Sequence, residues 1–178
     1  MSKRQTLALA MLVCLIAWAP ILMGAYREAV HEGGCATIYS GSTPQEITIN
    51  TQDVYEPWPL SVVFHEDDAG ICDGDTTGGV TMGKARTIKC DWSSKIKAGN
   101  GERAEMCPFI TRSGEHHEMK AGEDDADFDT PAKDEHVGGH FTTSTEVGDR
   151  IHLRLKNTSS TGNVFTHFTN LVVEVSGS

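Results

Sequence analysis

Residues 6–26, TLALAMLVCLIAWAPILMGAY, contain no charged side chain. A helix needs about 20 apolar residues to cross a hydrocarbon core of about 30 Å, whereas the apolar part of a secretory signal spans only about 7–15. Lys3 and Arg4 precede the run, and Arg27, Glu28, His31 and Glu32 follow it. The excess of positive charge on the first side places Met1 in the cytoplasm and the bulk of the chain outside. Cleavage chemistry argues for retention. The small pair in AWA (Ala17–Ala19) would leave Pro20 as the first residue, Met23 is bulky in MGA, and Leu12 and Val13 stand where a lipoprotein signal wants small residues before Cys14. The expectation is a cytoplasmic tail over 1–5 and a transmembrane helix over 6–26. That helix continues to about residue 32 and stops at Gly33-Gly34. Trp18 and Tyr26 are its amphipathic aromatics, and Tyr26 suits the outer interface. Pro20 frees one backbone carbonyl and bends the axis. No ionisable group lies in the span, so by itself it carries no proton or ion pathway.

Beyond residue 34 the helical period vanishes. Short β-branched or alternating runs replace it: ATIY (36–39), EITIN (46–50), LSVVFH (60–65), GVTM (79–82), ARTIKCDW (85–92), MCPFIT (106–111), DRIHLRLKN (149–157), VFTHF (164–168) and NLVVEV (170–175). Turn sequences such as SGS, EPWP, GDTTGG and AGNGE separate them. Many short strands with Gly/Asp/Ser turns predict a mainly-β extracytoplasmic domain over 35–178, an antiparallel β-sandwich of immunoglobulin or jelly-roll type. In RIHLRLKN, Ile151, Leu153 and Leu155 point one way and Arg150, His152, Arg154 and Lys156 the other, the pattern of a half-buried strand. NTSSTGN then predicts a closing hairpin between this strand and VFTHFTNLVVEV. Residues 112–139 are poor in apolar side chains and rich in acids and glycine, and read as a long acidic loop.

Five cysteines are present, one of them Cys14 in the apolar run. Cys35, Cys72, Cys90 and Cys107 make an even set in an exported domain, which predicts two disulfides with three possible pairings. No Cys-x-x-Cys spacing occurs.

Candidate metal ligands concentrate in the acidic stretch. Asp125, Asp127 and Asp129 alternate as calcium-loop carboxylates do, although an EF-hand loop starting at Asp125 would need glycine and glutamate where Thr130 and His136 stand. Calcium is therefore a possible ligand, and no other cofactor is expected. His116, His117, His136 and His140 form a loose imidazole set suited to zinc or copper, with Gly138-Gly139 opposing a helix that would align the last two.

The stretch VGDRIHLRLKN…FTHF resembles the strand pair that carries the first histidine ligand in cupredoxin-type copper domains, which would make His167 that ligand. Only eleven residues follow it, without the cysteine, histidine or methionine such domains supply next. The same hairpin also resembles plain immunoglobulin-like sandwiches. The layout of apolar helix plus β domain is similar to that of type IV pilins, but no glutamate precedes Glu28, and the helix pattern ends near 32.

The formal charge of −10 excludes nucleic acid as a natural partner, since phosphate binding needs a basic face. It favours basic proteins or cations through steering. No Gly-x-Ser-x-Gly and no glycine-rich phosphate loop leading into a helix occurs, so no enzyme activity is expected. These observations point to an accessory subunit anchored in the bilayer beside other integral membrane subunits, as in a bacterial respiratory or photosynthetic complex. Its outer domain would brace the complex or dock a basic carrier such as a cytochrome c. A filament subunit and a free-standing binding module with a metal site are the alternatives.

Overall fold

The computed structural model describes residues 35–58, 70–75, 77–129 and 134–176. The expected tail, transmembrane helix and interfacial Trp18, Pro20 and Tyr26 lie outside these residues, as do the run at 60–65 and the side chain of Cys35. Among the described residues no helix is long and apolar enough to cross a membrane.

Those residues form twelve strands and one 3₁₀ turn. The strands are β1 Cys35–Tyr39, β2 Gln45–Ile47, β3 Glu56–Pro57, β4 Cys72–Gly74, β5 Gly79–Met82 and β6 Thr87–Lys97. They continue with β7 Glu102–Arg112, β8 Glu115–Glu118, the turn Lys120–Gly122, β9 Asp124–Phe128, β10 Glu135–Ser144, β11 Arg150–Asn157 and β12 Val164–Val175. All pairings are antiparallel. The first sheet runs β1-β12-β6-β10, with β2 extending the β1 edge along β12. The second runs β4-β5-β11-β7-β8, with β3 beside β11 and β9 beside β7. This is the expected antiparallel sandwich.

Its core follows from the two-residue period of strands. β6 turns Ile88, Cys90, Trp92, Ser94 and Ile96 inward, and β11 turns Ile151, Leu153 and Leu155 to meet them. Both buried indoles find acceptors, as buried Trp N–H groups should. Trp58 donates to Thr166 Oγ1 at 2.9 Å and Trp92 to the Gly122 carbonyl at 2.8 Å. Gly139 is required at that second contact, because a Cβ there would lie 2.4 Å from the Gly122 oxygen.

Three expectations are corrected. β11 and β12 do not form a hairpin: β11 pairs with β3, β5 and β7 in the second sheet, and β12 with β1, β2 and β6 in the first. Both strands present apolar rows that must reach one core, and a sandwich satisfies both by placing them on opposite walls. Asn157 organises the crossing. Its Oδ1 accepts from Ser159 N and Ser160 N, and its Nδ2 donates to the Gly162 carbonyl.

The stretch 112–139 is not one loop. It holds β8, the 3₁₀ turn, β9 and the start of β10. Ser113 and Gly114, both with positive φ, make the tight turn from β7 to β8 that right-twisted hairpins favour. Few inward side chains are needed there, because β8 and β9 are short edge strands; Ala126 and Phe128 supply the buried ones.

The two-disulfide scheme also fails. Cys90 and Cys107 are buried free thiols, and two bridges would need all four cysteines. Cys90 points into the core from β6, whereas Cys107 lies on the opposite side of β7 from Met106. Burial pushes both thiols upward, Cys107 to about 12, with the charges of Glu118 and Glu123 adding to its rise.

Candidate functional site

The outer face of the second sheet buries groups that have no place in the core. Cys107 and Phe109 are 0% and 5% exposed, yet neither belongs to the main apolar cluster. Alternation along β7 puts Glu105, Cys107, Phe109 and Thr111 on this outward side, and β11 adds His152, Arg154 and Lys156 beside them. Tyr55 covers the row. Its ring meets Phe109 edge-on at 4.9 Å, and Lys156 Nζ lies 4.6 Å over it. Arg154 stacks over Phe109 at 5.3 Å.

Carboxylates crowd one end of the row. The Tyr55 hydroxyl contacts both Glu105 and Glu118, at 3.0 Å from the latter. Burial first, then these carboxylates, raise the phenol far above its ordinary range, so it holds one proton for two acceptors. Lys156 is 2.9 Å from Glu105 and 3.1 Å from Asp53. Glu123 follows the 3₁₀ turn and completes the cluster. Burial and the charges of Glu105 and Glu118 raise its carboxyl, outweighing Lys156 and Lys120.

At the other end, the Thr111 hydroxyl bridges two imidazoles, 2.8 Å from His116 Nδ1 and 2.9 Å from His152 Nε2. His152 is buried, and burial lowers it to about 3, helped by the charges of Arg150 and Arg154. It is therefore neutral at ordinary pH. Two ion pairs frame this end. Arg112 grips the buried Asp149 with Nε at 3.0 Å and Nη2 at 2.6 Å, and Asp149 also accepts from Glu146 N. Arg150 grips Asp75 at 2.8 Å. The Arg112 hydrogen bonds hold Asp149 below the usual carboxylate range. Burial would raise Asp75, but hydrogen bonds from Arg150, Thr77 and the Gly79 N–H overrule it.

The residues singled out from the sequence are dispersed. Asp125 and Asp127 lie on one face of β9 with Arg103 between them, at 2.8 and 3.7 Å. Their alternation is the period of a strand, and their neighbour is a guanidinium. Asp129 is exposed just past β9. The four histidines split between sheets, His116 and His117 on β8 and His136 and His140 on β10. At about 3.3 Å per residue, the latter two stand roughly 13 Å apart along their strand. His167 Nε2 lies 3.1 Å from Asp134. Tyr55, Glu105, Glu118 and Glu123 escaped the sequence reading. They meet only through the pairing of β7 with β8 and β9 and of β3, which directly follows Tyr55, with β11, although the outward position of Cys107 was readable from alternation along β7.

A second feature stands on the first sheet. β12 is interrupted between His167 and Asn170 by a bulge, where Phe168 takes φ 48° and is 52% exposed. Phe168 N donates to Gly41 O, Ser40 N to Thr169 O, and Thr169 N to Ser40 Oγ. The Ser94 and Thr169 hydroxyls lie 2.6 Å apart beneath. Lys95 sits 5.4 Å over the Phe168 ring.

No protein-family model matches the chain, and no curated protein matches it. Solved structures do match its fold. The TNF Eiger from S. frugiperda aligns with a TM-score of 0.60 at 12% identity, over 82% of this chain and 93% of that one. The globular domain of zebrafish complement 1qA aligns at 0.53 and 10%, over 81% and 97%. Murine APRIL at pH 5.0 aligns at 0.52 and 10%, over 82% and 100%. At such identities the likeness shows architecture alone: the described residues between 35 and 176 build a mainly-β antiparallel sandwich similar to these TNF and complement 1q jelly rolls.

Proposed function

We propose that this chain is a non-catalytic, membrane-anchored accessory subunit whose sandwich stands outside the cytoplasm and docks a partner protein of the same membrane assembly. The observation that carries this reading is Phe168. Left-handed backbone at a bulky residue is a genuine outlier costing about 1–3 kcal/mol, and such strain clusters at functional sites. Here the surrounding hydrogen bonds hold the strain in place while the ring is presented to solvent beside Lys95. An exposed, rigid aromatic next to a cation is the kind of anchor that dominates protein interfaces. The uncharged run at 6–26 supplies the tether. The solved neighbours, a TNF and a complement globular domain among them, share the sandwich, but a fold alone does not assign function.

The substitution Phe168→Gly separates docking from folding. Glycine adopts this φ freely, so the variant should unfold in urea at an unchanged midpoint or with up to about 1 kcal/mol of added stability. Extracted in mild detergent and examined by native mass spectrometry, the wild-type chain should carry a partner subunit at fixed stoichiometry, and the variant should lose it. A wild-type chain that flies alone, or a variant that keeps its partner, overturns the reading.

A further inference from the structure

We infer that the outer face of the second sheet holds a binding site for a divalent cation of zinc-like chemistry, formed by the thiolate of Cys107 and the carboxylates of Glu118 and Glu123. The potential ligand atoms of these three side chains lie within 4.8 Å of one another. Zinc binds sulfur at about 2.3 Å and carboxylate oxygen at about 2.0–2.2 Å, in tetrahedral geometry, which sets ligand atoms roughly 3.5 Å apart. Separations within that bound reach the tetrahedral spacing with at most a modest contraction. Glu123 is the ligand free to supply it, because it is exposed and follows the 3₁₀ turn rather than sitting within a strand.

Three further observations support a cation here and not only a solvated acidic patch. First, a fully buried thiol, a sulfur donor, stands among the carboxylates. It reaches the carbonyl of its own neighbour, Pro108, at 3.3 Å, a carbonyl that also accepts from Met119 N at 2.9 Å, and the Tyr55 hydroxyl and the Met119 N–H face its sulfur as well. Second, the donor count is short. The Tyr55 hydroxyl has one proton and faces both Glu105 and Glu118, while Lys156 is shared between Glu105 and Asp53. Glu118 is left facing an oxygen that cannot donate to both carboxylates, and a cation resolves that conflict. Third, the Tyr55 hydroxyl, 3.0 Å from Glu118, is placed to orient that carboxylate, as second-layer groups do around bound metals.

The donor set selects among metals. Calcium and magnesium take oxygen ligands and have no use for a thiolate, whereas zinc accepts sulfur and oxygen together. Three protein ligands leave a fourth position for water. Without metal, burial and the neighbouring charges keep Cys107 protonated. A divalent ion inverts that balance and releases the thiol proton on binding.

Cobalt(II) is the spectroscopic probe. Added to the full chain in mild detergent without thiol reductants, it should bind at one equivalent and give a near-ultraviolet sulfur-to-cobalt charge-transfer band, which zinc then bleaches. Cys107→Ser should abolish the band. Glu123→Gln should weaken binding at least about tenfold, and Tyr55→Phe about tenfold, the usual loss for a second-layer group. As a second readout on the wild-type chain, zinc should slow alkylation of Cys107, located by peptide mapping. Cobalt binding without the charge-transfer band, a band that survives in Cys107→Ser, or alkylation of Cys107 unchanged by zinc would each overturn the assignment.

Discussion

Replacing Trp92 with alanine is expected to destabilise the sandwich by about 3–5 kcal/mol, the usual cost of deleting a large buried aromatic. Phenylalanine in its place should still cost about 1–3 kcal/mol, because the Gly122 carbonyl would keep its burial and lose its donor. Trp92 stands in β6 of the first sheet, and its indole N–H reaches across to the 3₁₀ turn between β8 and β9. Gly122 itself is wedged against Pro108 and Phe141, since a Cβ there would come within 3.0 and 3.1 Å of their side chains. One hydrogen bond therefore couples the two walls and sets the position of Glu123, the residue that follows. Urea unfolding followed by circular dichroism measures the loss. A Trp92→Phe variant with the wild-type midpoint would show that the indole N–H contributes nothing to this junction. The same variant should bind cobalt more weakly, because the turn that carries Glu123 would be loosened.

How much of this was legible beforehand divides along physical lines. Local periodicity located the strands. GVTM (79–82) is β5, and DRIHLRLKN (149–157) contains β11 with Ile151, Leu153 and Leu155 inward. Periodicity assigns a side chain to a face but does not tell which strand lies alongside, and so the β11–β12 connection read as a hairpin although it joins two sheets. Composition misled at 112–139 because edge strands bury little, so β8 and β9 look like solvated loop. The carboxylate–thiol cluster was illegible for another reason. Tyr55, Glu105 and Glu118 are brought together by register across sequence separations of 50 and 63 residues. His152 was read as an outward-facing polar residue of a half-buried strand. The period was right about the face, but it could not show that Phe109 packs beside the imidazole there and that the charge of Arg154 bears on it.

That burial makes the domain acid-sensitive well above the range where carboxylates protonate. His152 titrates near 6.5 in an unfolded chain and at about 3 in the folded one. Its folded value is lowered, so below about pH 6.5 the unfolded state takes up a proton that the native state refuses. Stability is then fully present above pH 6.5 and is lost as pH falls towards 3. Between about pH 7.5 and pH 4.5 the expected loss is about 2–3 kcal/mol from this residue. The paired carboxylates lose stability in the same direction but later. Asp149 and Asp75 are held below their ordinary values, so their contributions are present above about pH 4 and fall away beneath it. Glu123 works the other way. Its raised value favours the folded state as pH falls, but its exposure keeps that offset small. Within the imidazole's surroundings, Arg150 and Arg154 oppose its protonation, as does the neighbouring His116, and Asp75 favours it. The substitution His152→Gln removes the titrating group while retaining an amide able to meet the Thr111 hydroxyl. Urea midpoints taken at about pH 7.5 and pH 4.5 should fall steeply for the wild-type chain and much less for this variant. Equal slopes in the two proteins would mean that protonation of His152 is not what limits stability in mild acid.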